Sequence, residues 1–147
     1  MTRWLAISNR TNDEIVRTKN IWGVPKRNKN IIERVKRGDT ILMYVSQQKE
    51  GDNTLPSAIT GAFEVLLDSF EDTSKIFETP VHMCKEVFPY RIRLKPAKIF
   101  DTPVEFKPLI PKLSFIKNKT MWTGHIRQAM RIIPEEDYKL IMAAVKS

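Results

Sequence analysis

One run of residues limits the fold more than any other: Thr40-Ile41-Leu42-Met43-Tyr44-Val45-Ser46, almost wholly apolar and rich in β-formers. It is too short for a stable helix and leaves no wet face, so it predicts a central strand. Gly38 and Asp39 turn the chain into it, and the polar stretch Gln47 to Pro56 leaves it as a mobile loop. A second strand then runs Ala58-Ile59-Thr60-Gly61-Ala62-Phe63-Glu64-Val65-Leu66 and is expected to pair antiparallel with the first. Within it Gly61 marks a bulge or a close approach of backbone.

The other elements are short. Trp4-Leu5-Ala6-Ile7-Ser8 predicts a buried strand, because Ser8-Asn9-Arg10 ends it before a helix could form. Thr11-Asn12-Asp13-Glu14 matches a capping box and places a helix from Asn12 to about Lys19, with Ile15 and Val16 inward. A second helix, capped by Asn28 or Asn30 and stopped by Gly38, would carry Ile31, Ile32 and Val35. Asp68 to Val87 lacks a period and reads as a loop with one helical turn, anchored by Phe70, Ile76 and Phe77. Phe88 to Leu94 alternates apolar and basic residues, as in a strand with Arg91 and Arg93 outward, and Lys98-Ile99-Phe100 reads as a further short strand. Phe106 to Leu113, interrupted by Pro108 and Pro111, allows only a brief helix. Thr123 to Met130 reads as helical, with Ile126, Ala129 and Met130 at core spacing. The last helix starts at Pro134, places Glu135, Glu136 and Asp137 at the positive end of its dipole, and carries the stripe Tyr138, Ile141, Met142 and Val145. Together these elements predict a single α+β domain over residues 1–147, built on a small antiparallel sheet or barrel.

Several functions find no residues to support them. No apolar run approaches the roughly 20 residues that span a bilayer, and Met1-Thr2-Arg3-Trp4 does not open a signal peptide, so a cytoplasmic protein with no membrane partner is expected. Cys84 is the single cysteine, His82 and His125 are the only histidines, and neither Cys-x-x-Cys nor His-Glu-x-x-His occurs, so no metal is expected. His82 and Cys84 lie two positions apart, whereas catalytic Cys and His are usually distant in sequence. Phosphate-loop, dinucleotide and nucleophile-elbow motifs are absent, and the acids at 135–137 are explained by their helix end, so neither a cofactor nor a catalytic residue is expected.

The charge points to a polyanion. Net charge is +8 with pI 9.7, and between Arg17 and Arg37 eight basic residues face one acid, Glu33. Within and beyond that segment, Lys19, Lys26, Arg27, Lys29, Lys117 and Lys119 are the candidate phosphate contacts. Amid the basic segment stands Trp22-Gly23-Val24-Pro25, a large aromatic side chain where Gly and Pro bend the backbone. Trp22 there is either a core residue that closes a loop or a face on which a base stacks. The other candidates of suitable chemistry are the aromatics Tyr44, Tyr90 and Trp122 and the polar Ser8, Asn9, Arg91 and Asn118.

Six separated motifs in order carry a family resemblance: Trp4 to Asn9, Ile21 to Pro25, Lys36-Arg37-Gly38-Asp39 leading into Met43-Tyr44-Val45, Gly61 to Val65, Phe88-Pro89-Tyr90-Arg91, and Phe115 to Lys119 with Trp122. In this pattern the chain resembles an EVE domain over almost its whole length. The resemblance implies a PUA-like fold, a small β-barrel of about five to six strands flanked by short helices, and kinship with YTH domains. It also implies a nucleic-acid reader, without enzymatic activity, that takes a modified, methylated nucleobase of DNA or RNA into an aromatic pocket. Ser8 and Asn9 match the polar segment of that pocket, Trp22 matches an aromatic wall, and Gly23, Val24 and Pro25 its backbone turn. Tyr90, Arg91, Asn118 and Trp122 fall in segments that contribute further. Gly23 stands where YTH domains carry Ser, which removes one hydroxyl. The alternatives are a PUA-like RNA-binding protein with no modified-base specificity and an enzyme acting on the same ligands.

Overall fold

The computed structural model of the chain describes residues 1–78 and 87–145. His82 and Cys84 lie outside the described residues. The central strand is β3 (Thr40–Val45), all six of whose residues are buried. It lies between β1 (Arg3–Ser8), to which it is parallel, and β6 (Ala58–Val65), to which it is antiparallel. The sheet is therefore mixed where a purely antiparallel one is expected from the sequence. Residues 9–39 account for this, because a parallel neighbour needs a long crossover, and α1 (Arg10–Lys19), β2 (Ile21–Val24) and α2 (Lys29–Ile32) supply it.

Period-2 alternation explains why β3 is apolar throughout. Leu42 and Tyr44 enter one core with Leu5, Phe106 and Ile141, while Ile41 and Met43 enter another with Trp4, Trp22, Phe63 and Ile92. The first core is closed by α3 (Glu135–Ala143). Asp137, within the first turn of α3, is buried and accepts hydrogen bonds from the Ser114 and Phe115 amides at 2.9 Å, a brace beyond its dipole role. Pro134 caps that helix from outside and is not its first residue.

Seven strands form the main sheet in the order β2, β8 (Tyr90–Glu105), β6, β3, β1 and β9 (Met130–Ile133), with β7 (Phe70–Glu71) also on β8. The two strands expected around Arg91 and Ile99 are one, β8 (Tyr90–Glu105), which pairs with β2 and β7 at its start and β6 further on. Register shifts at Ile59/Gly61 and Ala62/Phe63 bend it and curl the sheet into a half-barrel. Gly61 sits beside the bulge, and a Cβ there would approach the Lys98 carbonyl oxygen to 3.2 Å, so both expectations for it apply.

Other expectations are corrected. Trp22 lies within strand β2, and the bend falls at Pro25. The stretch from Gln47 to Pro56 contains a hairpin, β4 (Gln48–Glu50) and β5 (Asn53–Leu55), turned by Gly51 at φ 59°. α2 ends at Ile32, short of Val35, and Gly38 (φ 92°) instead makes the turn into β3. Met130 is not helical: a 3-10 turn over Trp122–Ile126 gives way to β9 (Met130–Ile133), which pairs with β1. No described helix is long and apolar enough to cross a membrane.

Candidate nucleic-acid interface

A cleft of about 250 Å³ opens where β1 and β3 end. The Ser46 amide donates to the Ser8 carbonyl at 3.0 Å and the Ile7 amide to the Ala129 carbonyl at 2.9 Å, so three chain segments meet at its floor. The Ser8 hydroxyl donates to the Tyr44 carbonyl at 3.4 Å. Asn9, extended at φ −86°, is the true N-cap of α1, its Oδ1 accepting the Asn12 amide at 2.8 Å. The helix therefore begins earlier than the capping box at Thr11 predicts.

The opposite wall comes from the segment after β7. Asn12 holds it with both atoms of its side-chain amide: Nδ2 donates to the Glu78 carbonyl at 2.9 Å and Oδ1 accepts the Glu78 amide at 2.7 Å. This places Phe77 edge-on to Trp22, with ring centroids 6.4 Å apart and planes at 72°, and 5.9 Å from Phe88. Phe88 has φ 51°, a region that a bulky residue enters only when its surroundings force it. Trp22 is only 4% exposed, and its buried Nε1 has no hydrogen-bond partner among the described residues.

Of the sequence candidates, Ser8, Asn9, Trp22, Gly23, Pro25 and Arg27 line this cleft together. Val24 is buried in the adjacent core. Tyr90, paired with Val24 in the β2–β8 ladder, does not line the cleft, and its ring centroid is 5.5 Å from the Lys29 ammonium. Trp122 packs on Phe106 at 5.6 Å in the other core. Asn118 turns its Oδ1 to the Met121 amide, and its own amide donates to Nε2 of His125. Arg91, expected to face outward, is fully buried, because the segments on either side of it supply carbonyl acceptors and Asp72 supplies a charge. Tyr44 is buried beside Phe106.

The basic candidates divide in the same way. Lys19, Lys26 and Lys117 are exposed, and Lys29 is 3.7 Å from Glu33 in an open pair worth little. Lys119 instead donates to the Ile110 and Leu113 carbonyls at 3.0 and 2.6 Å, closing the 3-10 turn Lys107–Lys112. Sequence reasoning missed Asn12, Ser46, Phe77, Phe88, Arg127 and Gln128 as lining residues. Phe77 was recognisable as an apolar anchor, but nothing in its neighbourhood says that it lies against Trp22. Arg27 and Arg127 make the rim basic, and Glu78 is the one carboxylate lining the cleft among the described residues.

A family profile described as EVE domain matches residues 2–144. A UPF0310 protein of Pyrococcus abyssi is 50% identical over 142 residues, covering 96% of this chain and 97% of the relative. Among solved structures, human THYN1 in complex with 5-methylcytosine-containing DNA superposes with TM-score 0.61 at 13% identity, covering 97% of this chain and 96% of that one. The YTH domain-containing protein mmi1, in an RNA complex, also gives 0.61 at 12% identity, covering 97% and 80%.

Proposed function

The chain belongs to the EVE domain family, and from that premise we propose that it is a nucleic-acid-binding module whose cleft receives a methylated nucleobase turned out of its strand. The observation that carries this is the meeting of Trp22, Ser8 and Asn9 on one open cleft beside basic residues. At about 250 Å³ the cleft is just below the roughly 300–1,000 Å³ of pockets for drug-sized ligands, a size for one ring system with sugar and phosphate left outside. The bound partners of THYN1 and mmi1, methylcytosine DNA and RNA, lie within the same class of ligand.

Each part of the site has a task. Extruding a base costs a few kcal/mol, least where it is already unpaired, and stacking on an aromatic returns about 1–3 kcal/mol. Trp22, Phe77 and Phe88 are the aromatic walls. With its Oδ1 engaged as a helix cap, Asn9 keeps its Nδ2 donors, and Ser8 and Gln128 add polar edges. Arg27 with Lys19 and Lys26 meets phosphates outside. The protein acts by binding and not by catalysis.

A second reading, an RNA-binding module with no preference for modification, draws on the slight exposure of Trp22. A screen of single- and double-stranded oligonucleotides, each with and without 5-methylcytosine or N6-methyladenine, separates the two. At least about tenfold preference for one methylated oligonucleotide, 1.4 kcal/mol, is expected, and uniform affinity would favour the second reading.

A further inference from the structure

We propose that Arg91 is a positioning residue for the cleft, tying together both legs of the segment that carries its aromatic wall; this rests on the base-binding reading above. All of its donor groups are engaged. Nε donates to the Phe88 carbonyl at 2.9 Å, Nη1 to the Ser74 hydroxyl at 3.0 Å, and Nη2 to the Val87 carbonyl at 2.9 Å and to the Ser74 carbonyl. Ser74 is on the outgoing leg, before Phe77; Val87 and Phe88 are on the returning one. One planar guanidinium thus sets the spacing between the legs, a task that a lysine ammonium on a flexible stem cannot copy.

Three further observations agree. The guanidinium carbon lies 5.4 Å from the Phe77 ring centroid, so the fork supports the wall as well as its ends. Asp72 stands 3.5 Å from Nη1 and balances the buried charge. Opposite Arg91 in the β2–β8 ladder is Gly23, whose missing side chain leaves room for the arginine stem. No atom of this fork is needed to touch the base. Its effect passes through Phe77 and Phe88.

The test uses the full chain with Arg91→Lys and, as a milder variant, Ser74→Ala. Without ligand, Arg91→Lys is expected to speed amide exchange at Asp72, Ser74 and Glu78 by about tenfold or more while β3 amides keep their protection, and Ser74→Ala to do so to a lesser degree. With oligonucleotides, Arg91→Lys is expected to lose about tenfold of the preference for the methylated base while leaving salt-dependent binding unchanged. Unchanged exchange in both variants would overturn the proposal. So would faster exchange with the preference intact, or global unfolding of Arg91→Lys with no local change in Ser74→Ala, since Arg91 would then only brace the fold. If the parent protein shows no preference for any methylated base, the base-binding reading falls by itself, and the positioning role falls with it even where the exchange result shows the tie.

Discussion

At Gly23 a single absent atom shapes the cleft. A Cβ there would lie 2.8 Å from the Phe77 ring, 2.9 Å from the Phe88 carbonyl oxygen and 3.1 Å from Cγ of Arg91. A backbone carbonyl cannot yield cheaply, so Gly23→Ala is expected to lose about 1–3 kcal/mol in urea unfolding and to push the aromatic wall outward. Trp22 is both core and wall, and Trp22→Ala would remove about 3–5 kcal/mol of packing along with any stacking face. Trp22→Phe is the cleaner change. It is expected to keep the fold and the salt-dependent binding, and to weaken discrimination between methylated and unmodified bases in competition titrations. The motif pattern singled out Ser8, Asn9, Trp22 and Gly23, and these do line one cleft, although the groups that Gly23 makes room for, Phe77, Phe88 and Arg91, are far away in the chain. Arg91 was misread because its partners, Ser74 and Asp72, are distant, and alternation alone assigns a basic residue to solvent.

Among the elements, the loop after β7 is the one most open to chemical control. The Ser74 amide donates to Oδ1 of Asp72 at 2.8 Å, and this bond, followed by the Ser74 side chain and Arg91, holds the carboxyl below its usual range. A carboxyl with a depressed folded pKa contributes stability above its unfolded value, near 3.9, and loses it as pH falls through the folded value. The protection of the Ser74 amide, taken relative to the intrinsic exchange rate at each pH, is therefore expected to fall on acidification below about pH 3.9, and Asp72→Asn to remove that pH dependence. Elements with strong local signals, β1, β3, β6 and α3, could be read from the chain. β9 could not, because Met130-Arg131-Ile132-Ile133 becomes a strand only by pairing with β1. β2 was hidden in the same way: Trp22-Gly23-Val24 looks like a turn until β8 lies beside it.

For the whole molecule, the surplus positive charge and the cleft meet through the segment from Arg17 to Arg37, which runs from α1 through Trp22 to the turn before β3. Lys19, Lys26 and Arg27 make no ion pair with the described residues, whereas Arg17 is 3.0 Å from Asp13. Replacing Lys26, Arg27 and Lys29 with Gln is expected to weaken binding to all sequences alike and to lower the salt slope on duplex DNA by about 0.9 for each phosphate that is no longer neutralised. An unchanged slope would move the phosphate track elsewhere. The family and the outline of a curled PUA-like sheet were legible because six motifs agreed in order. The cleft's far wall was not, since it depends on the Asn12 amide reaching Glu78 across residues far apart in the chain. Entry of a base beside Trp22 can be watched directly by following the indole N–H resonances of Trp4, Trp22 and Trp122 in a labelled protein titrated with a methylated oligonucleotide. Trp4 is held by Asp39 at 3.0 Å and Trp122 packs on Phe106, so both should stay nearly still while the Trp22 signal moves, and moves far less with the unmodified strand. A Trp22 resonance that stays fixed while binding saturates, or that responds equally to both strands, would mean that no methylated base is read there.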